Sequence, residues 1–230
     1  MDGTDVKSCA IFLGPPGSGK SSVAEQLGAD RRIACVNTGD IARRHIEKRT
    51  DAGEEIRDYV QKGELAPTPI IKKIVTDYAD DLDEKYLIFD GFPRSREQLK
   101  AFGEVCRDIK CELKAIIIFS IDRETAIKRL TGRRICEEDN HIYNIYYNPP
   151  PPGSPCAEDS SKLVHRDDDE PETVEKRFDE YSKKAKPLAD FFRAEKSAIT
   201  YDIKSEKELE DLIEETFASL KKAGMKDLPV

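Results

Sequence analysis

Gly14-Pro15-Pro16-Gly17-Ser18-Gly19-Lys20-Ser21 has the G-x-x-x-x-G-K-[ST] spacing, and no other stretch constrains the fold as tightly. Before it runs a short apolar segment, Cys9-Ala10-Ile11-Phe12-Leu13, of buried-strand type. After it, Ser22-Val23-Ala24-Glu25-Gln26-Leu27 reads as the first turns of a helix. This strand–loop–helix context separates a working phosphate loop from a flexible Gly/Pro turn with the same letters. The glycines let successive backbone N–H groups point inward at the positive end of a helix dipole, which makes an anion site. Gly17, Ser18, Gly19, Lys20, Ser21 and Ser22 are therefore candidate triphosphate-binding residues. Lys20 is placed to reach the β- and γ-phosphates, and the hydroxyl of Ser21 or Ser22 suits a Mg²⁺ shell.

The rest of the chain alternates in the same way. Strands are predicted at Cys9–Leu13, Ile33–Val36, Tyr86–Asp90, Ala115–Ser120 and 198–203. Helical patterns lie between them, the last two at Glu172–Glu195 and Glu206–Ala223. Strands alternating with helices indicate βαβ units, here an α/β domain with a doubly wound five-stranded parallel sheet spanning residues 1–230. Ligands of such sheets bind outside the carboxyl ends of the strands. Two segments fall outside the pattern. Residues 38–68 carry helices and no strand. Residues 133–167 are irregular and rich in Pro, Tyr, Asp and Cys, and an irregular stretch this long is usually functional or disordered.

Composition excludes several classes. With a net charge of −8, the surface is a poor match for nucleic acid, which demands clustered Lys and Arg. The longest purely apolar run, Ala115–Phe119, is far too short to cross a membrane. The acidic N-terminus lacks the apolar core of a secretory signal. Six scattered cysteines have no disulfide-scaffold density and point to a reducing, cytoplasmic compartment. Of these, Cys9, Cys35, Cys106 and Cys111 read as core or near-core thiols.

Asp90-Gly91-Phe92-Pro93-Arg94 follows the strand Tyr86–Phe89. An acid at a strand end beside a phosphate loop is placed to hold Mg²⁺ through water, and Arg94 can grip a phosphate with its planar fork. Capping of the next helix would account for Asp90 alone, but not for Arg94. Nor would it account for the similar arrangement at Thr38-Gly39-Asp40-Ile41-Ala42-Arg43. Two loops that each deliver an acid and an arginine indicate a second phosphate-bearing substrate. Further arginines flank the irregular insert: Arg129, Arg133, Arg134, Arg166 and Arg177. Arg129 and Arg133 share a helical face if the helix continues that far. Phosphoryl transfer asks the protein for positioning and positive charge more than for covalent chemistry.

Taken in order, Gly14–Ser22, Thr38-Gly39-Asp40 with Arg43, Gly63 to Pro67, Asp90–Arg94 with Gln98, and Arg129 with Arg133 resemble the adenylate kinases. The match continues through Tyr143, Asn148-Pro149-Pro150, Arg166-Asp167-Asp168-Asp169 and Glu172-Thr173-Val174-Glu175-Lys176-Arg177. More broadly, the chain resembles the nucleoside monophosphate kinases over nearly its whole length. The resemblance implies a core, a monophosphate-binding insert at 38–68 and a lid at 133–167. It implies a monomeric enzyme that transfers a phosphoryl group reversibly from Mg-ATP to AMP, giving two ADP. On this reading Lys20 and the loop amides hold the ATP phosphates, and Arg129 stacks on the ATP adenine. Arg43 and Arg94 hold the AMP phosphate, and Arg133, Arg166 and Arg177 surround the transferring group. Asp40 and Asp90 anchor hydrated Mg²⁺. Thr38, Ala66, Gly91 and Gln98 border AMP, and the Gln98 amide matches the donor and acceptor edge of adenine. A UMP/CMP kinase, a GTP-preferring relative and a non-catalytic nucleotide-binding module are the alternatives.

The lid poses a separate question. Cys136 and Asp139 form a C-x-x-D pair, as do Cys156 and Asp159. In zinc-binding relatives four ligands occupy these spacings, usually three or four of them cysteines. Zinc, a hydrogen-bonded polar lid and two unligated thiols all remain open on sequence alone. His141 is off the ligand spacing and is expected to face solvent or pack on a tyrosine.

Overall fold

The computed structural model describes residues 6–31, 33–138, 141–153, 155–195 and 199–225. Five parallel strands form the central sheet: β1 (Lys7–Leu13), β2 (Ile33–Asn37), β3 (Tyr86–Asp90), β4 (Cys111–Ser120) and, far down the chain, β8 (Ile199–Lys204). Their spatial order is β2-β3-β1-β4-β8. Every residue of β3 is buried, as are all of β1 beyond Lys7, as expected for strands covered on both faces.

Strand alternation sorts the core into two layers. On one face Cys9, Ile11, Leu13, Leu87, Phe89, Ile116 and Ile118 pack against α4 (Thr68–Asp80), α5 (Gln98–Asp108) and α8 (Lys186–Ala194). On the other, Ala10, Phe12, Ile88, Ile117 and Phe119 meet α1 (Lys20–Arg31) and α9 (Leu209–Lys222). Between β2 and α4 lie α2 (Thr38–Glu47) and α3 (Asp51–Gln61). Asn37 caps α2 by accepting from the Asp40 N–H at 3.1 Å, and Thr50 caps α3 by accepting from the Gly53 N–H at 3.1 Å.

Two elements depart from the sequence reading. The segment after α6 (Arg123–Thr131) is irregular over most of its described residues, and it also holds a small antiparallel sheet of β5 (Arg133–Cys136), β6 (Ile142–Asn144) and β7 (Leu163–Val164), ordered β6-β5-β7. α6 stops at Thr131 and Gly132, so Arg133 opens a strand and shares no helical face with Arg129. The single helix expected over Glu172–Glu195 is α7 (Pro171–Glu180) joined to α8 through a π-type turn at Tyr181–Ala185. Pro187 has no N–H to give Lys183, and the Lys186 N–H bonds instead to Tyr181 O, five residues back. Among the described residues, no helix is long and apolar enough to cross a membrane.

Candidate functional site

The phosphate loop joins β1 to α1. Gly17 sits at φ +79°, and a Cβ there would lie 2.7 Å from Ala126 O, so only glycine lets the loop pass α6. Lys20 Nζ donates to Pro15 O (2.9 Å) and Ser18 Oγ (3.3 Å). Burial lowers its pKa to about 8, and the charge of Asp90 only partly offsets this. Ser18 is fully buried, whereas Gly17, Gly19, Lys20, Ser21 and Ser22 border the cavity above the loop.

Parallel register aligns the acid. Asp90 pairs with Phe12 on one side and Asn37 on the other. Its Oδ2 therefore receives the Ser21 hydroxyl at 2.5 Å and Asn37 Nδ2 at 3.2 Å. Of the two candidate hydroxyls, Ser21 is the one tied to the acid. Gly91 follows at φ +88°, where a Cβ would meet Arg94 Nη2 at 2.6 Å. The bare backbone thus seats the guanidinium. Arg94 is enclosed by protein yet accessible, because it faces the cavity. Burial lowers its pKa despite Asp90, and Arg177 and Arg43 add to the strain. The acid–arginine loops are wired differently: Arg43 bonds its own Asp40, while Asp90 is held by Ser21 and Asn37.

Five arginines, Arg43, Arg94, Arg133, Arg166 and Arg177, border one cavity of about 1160 Å³, counted out to its open mouth, with Lys20, Asp40 and Asp90. Burial, then the charges of Arg133 and Arg43, bring Arg166 down to about 10. Three acids keep this cluster together. Arg166 lies 3.9 Å from Asp40, and Arg177 lies 3.1 Å from Asp168 and 3.2 Å from Asp169. Arg133 forks onto Asp169 through Nε (2.7 Å) and Nη2 (2.6 Å). Burial opposes the Arg133 charge, but Asp169 outweighs it and raises the pKa. Removing one partner of so buried a pair strands the other. Asp169→Ala is expected to lower unfolding free energy by about 3 kcal/mol in urea titration; a loss under about 1 kcal/mol would show the pair to be stability-neutral.

A second cavity of about 680 Å³ shares Gly39, Arg43, Gly63, Leu65, Gly91, Arg94 and Arg177 with the first. Thr38, Ala66, Gln98 and Asp168 are among its other lining residues. Thr38 Oγ1 is buried with no hydrogen-bond partner among the described residues. Gln98 Oε1 accepts the Arg94 N–H at 2.7 Å, so its carbonyl also props the arginine loop. Arg129 borders neither cavity; it lies at the base of the small sheet, where its carbonyl accepts from Asn144. Neither Asn37 nor Glu25 lies in a nucleotide-binding motif of the sequence. Asn before Thr-Gly-Asp is a helix-cap signal. Glu25 borders the first cavity, and burial followed by Asp40 and Asp90 raises its pKa.

Beside the small sheet, ligand atoms of Cys136, Cys156 and Asp159 lie within 4.8 Å of one another. The Ser161 N–H leads the effects holding the Asp159 carboxyl at about 2. His141 is exposed, as expected, and its Nδ1 also lies 3.8 Å from Cys156 Sγ. The Tyr143 hydroxyl touches the same sulfur at 3.4 Å. Asp139 lies outside the described residues.

A phosphate loop beneath one cavity, with a second cavity sharing its arginine-lined wall, defines a P-loop kinase of the α/β class. The family model for adenylate kinase matches residues 12–197. The chain is 36% identical to the adenylate kinase of Archaeoglobus fulgidus over 213 residues, 92% of this chain and 97% of that protein. Adenylate kinases of Listeria monocytogenes (36%) and Staphylococcus aureus (34%) match over 203 residues, 88% of this chain and 94% of theirs. The chain belongs to the adenylate kinase family, and so to the nucleoside monophosphate kinases.

Proposed function

We propose that the chain transfers a phosphoryl group reversibly from Mg-ATP to AMP, giving two ADP. One observation carries this reading: the two cavities meet at Arg43, Arg94 and Arg177, so two nucleotides would meet there by their phosphates. Lys20 and the loop amides hold the donor's phosphates; Arg129, outside both cavities, would meet its adenine as the lid closes. Arg43 and Arg94 hold the acceptor phosphate, with Thr38, Ala66, Gly91 and Gln98 around its base. Arg133, Arg166 and Arg177 spread positive charge over the group in transit. Closure of residues 38–68 and 133–167 over the site excludes water and so protects ATP from hydrolysis. The protein works as a cytoplasmic monomer. A coupled assay across AMP, UMP, CMP and GMP tests the assignment, and a better acceptor than AMP would overturn it.

The donor set fits Mg²⁺. Asp90 is oriented by two hydrogen bonds at a strand end beside the Ser21 hydroxyl, as hard-cation sites in phosphate-loop proteins require. Asp90, with Asp40, would hold it through water. When bound, the ion shields the phosphate charge.

Gln98 reads the base through its free amide edge and positions Arg94 through its carbonyl. Shortening it to Asn is expected to lower kcat/KM for AMP roughly tenfold, a loss of one good base contact. An unchanged AMP-to-CMP preference would remove Gln98 from base selection. Two thiols and a carboxylate at Cys136, Cys156 and Asp159 favour zinc over unligated cysteines, with Asp139 the spacing's fourth donor. Zinc would cross-link the small sheet. Protein purified from zinc-replete growth is expected to carry about one zinc per chain by mass spectrometry, as a four-ligand structural site would. Only trace zinc would exclude the site.

A further inference from the structure

Three thiols gather at the end of the sheet opposite the phosphate loop. The β1–β4 register pairs Lys7 with Cys111 and Cys9 with Leu113. Cys9 and Cys111 therefore lie on the same face of neighbouring strands, one step apart. Cys106 is in the last turn of α5, which packs on that face through Phe102 and Val105. The connection from Cys106 to Cys111 is a tight turn, with Lys110 in the left-handed region at φ 52°. Lys110 O accepts the Lys7 N–H at 3.0 Å, which pins the turn to β1. Each of the three thiols is near enough to the other two to shift their ionisation. None belongs to the nucleotide site, and all three are free cysteines.

We infer that Cys106 and Cys111 form a thiol redox site, closing to a reversible disulfide when the protein meets a hydroperoxide. The roles within the trio follow from burial and polarity. Cys9 is fully buried and out of reach of an oxidant, whereas Cys106 and Cys111 are half-buried. The neighbouring thiols Cys111 and Cys9, with the adjacent Arg107, favour the thiolate at Cys106. Cys106 is thus the nucleophile, Cys111 the resolving thiol and Cys9 a buried donor that steadies the thiolate.

The Cys106 thiolate attacks one peroxide oxygen; an S–O bond forms, the O–O bond breaks, and hydroxide leaves and is protonated to water. Cys111, a thiol while Cys106 is charged, then gives up its proton and attacks the sulfenic sulfur. The S–S bond forms, and the sulfenic oxygen leaves as a second water, taking up a proton. Two thiols lose two electrons and hydrogen peroxide gains them. A dithiol reductant reverses the step by exchange.

The sequence makes the test direct, because trypsin cuts after Arg107 and Lys110 and separates the two cysteines. Reduced full-length protein is exposed to hydrogen peroxide, capped with N-ethylmaleimide and digested without reductant. The expected product joins peptides 101–107 and 111–114 at a mass about 2 Da below their sum. It should vanish with dithiothreitol. In Cys111→Ser, Cys106 should instead be trapped by dimedone as sulfenic acid, then pass to sulfinic acid. The inference fails if Cys106 and Cys111 stay fully alkylatable. It fails equally if Cys136–Cys156 is the sole cross-link, or if Cys106 is found only in disulfides between chains.

Discussion

Arg94→Ala is expected to reduce kcat by roughly a thousandfold, the scale of losing one preorganised cation from a phosphoryl-transfer site. The fold should survive. Arg94 faces both cavities, at the wall they share. It is seated by a glycine that leaves room for its guanidinium and by Gln98, which accepts its N–H. Its charge is a burden to the empty protein: burial lowers its pKa, and Arg177 and Arg43 push the same way. Deleting it relieves like-charge repulsion, so the thermal midpoint should hold or rise while turnover collapses. KM for AMP should climb further than KM for ATP, because the proposed partner of Arg94 is the acceptor phosphate. Circular dichroism melting with steady-state kinetics on both substrates reads all three. Wild-type turnover in a folded variant would remove Arg94 from phosphate binding.

Lys20→Met should cost a similar factor, falling on ATP. The ammonium is anchored by Pro15 O and Ser18 Oγ over the loop, where Met fills the space without the charge. The pH profile gives the sharper test. Burial brings Lys20 to about 8. Lys20 is thus cationic below that pH and neutral above it, so kcat/KM for ATP in the free enzyme should fall as pH rises past about 8. Bound triphosphate restores the charge, and kcat should be flatter over the same range. Arginine stays charged throughout. Lys20→Arg, whatever its absolute rate, should therefore lose the alkaline limb. A limb that persists in Lys20→Arg would belong to another group.

The acids show most clearly how far the sequence could be read. Asp40 and Asp90 both stand out as acids four residues or fewer before an arginine, and both border the cavity. Yet spacing along the chain says nothing of Asp169, 36 positions from the Arg133 it neutralises. That partnership exists because β5 and β7 are neighbours in a sheet whose strands run only two to four residues. Strands so short carry no readable alternation, and proline and aspartate around them look like loop. Arg129 and Arg133 fail as a helical pair for a local reason: Gly132 follows the last helical residue. The cysteines divide the same way. Cys136 and Cys156 declare themselves by spacing, whereas Cys9, Cys106 and Cys111 meet only through strand register and the docking of α5.

The phosphate loop, the five strands and the order of the arginines are legible along the chain, because each depends on neighbours within a few residues. Backbone sterics make a glycine loop between strand and helix a phosphate cradle, and two-sided burial makes an unbroken apolar run a central strand. Which acid holds which arginine, the cationic wall shared by two cavities and the lowering of Lys20 to about 8 arise from folding alone. Those properties depend on desolvation and on charges brought together from distant parts of the chain, and such charges acquire their distances only when the chain has folded.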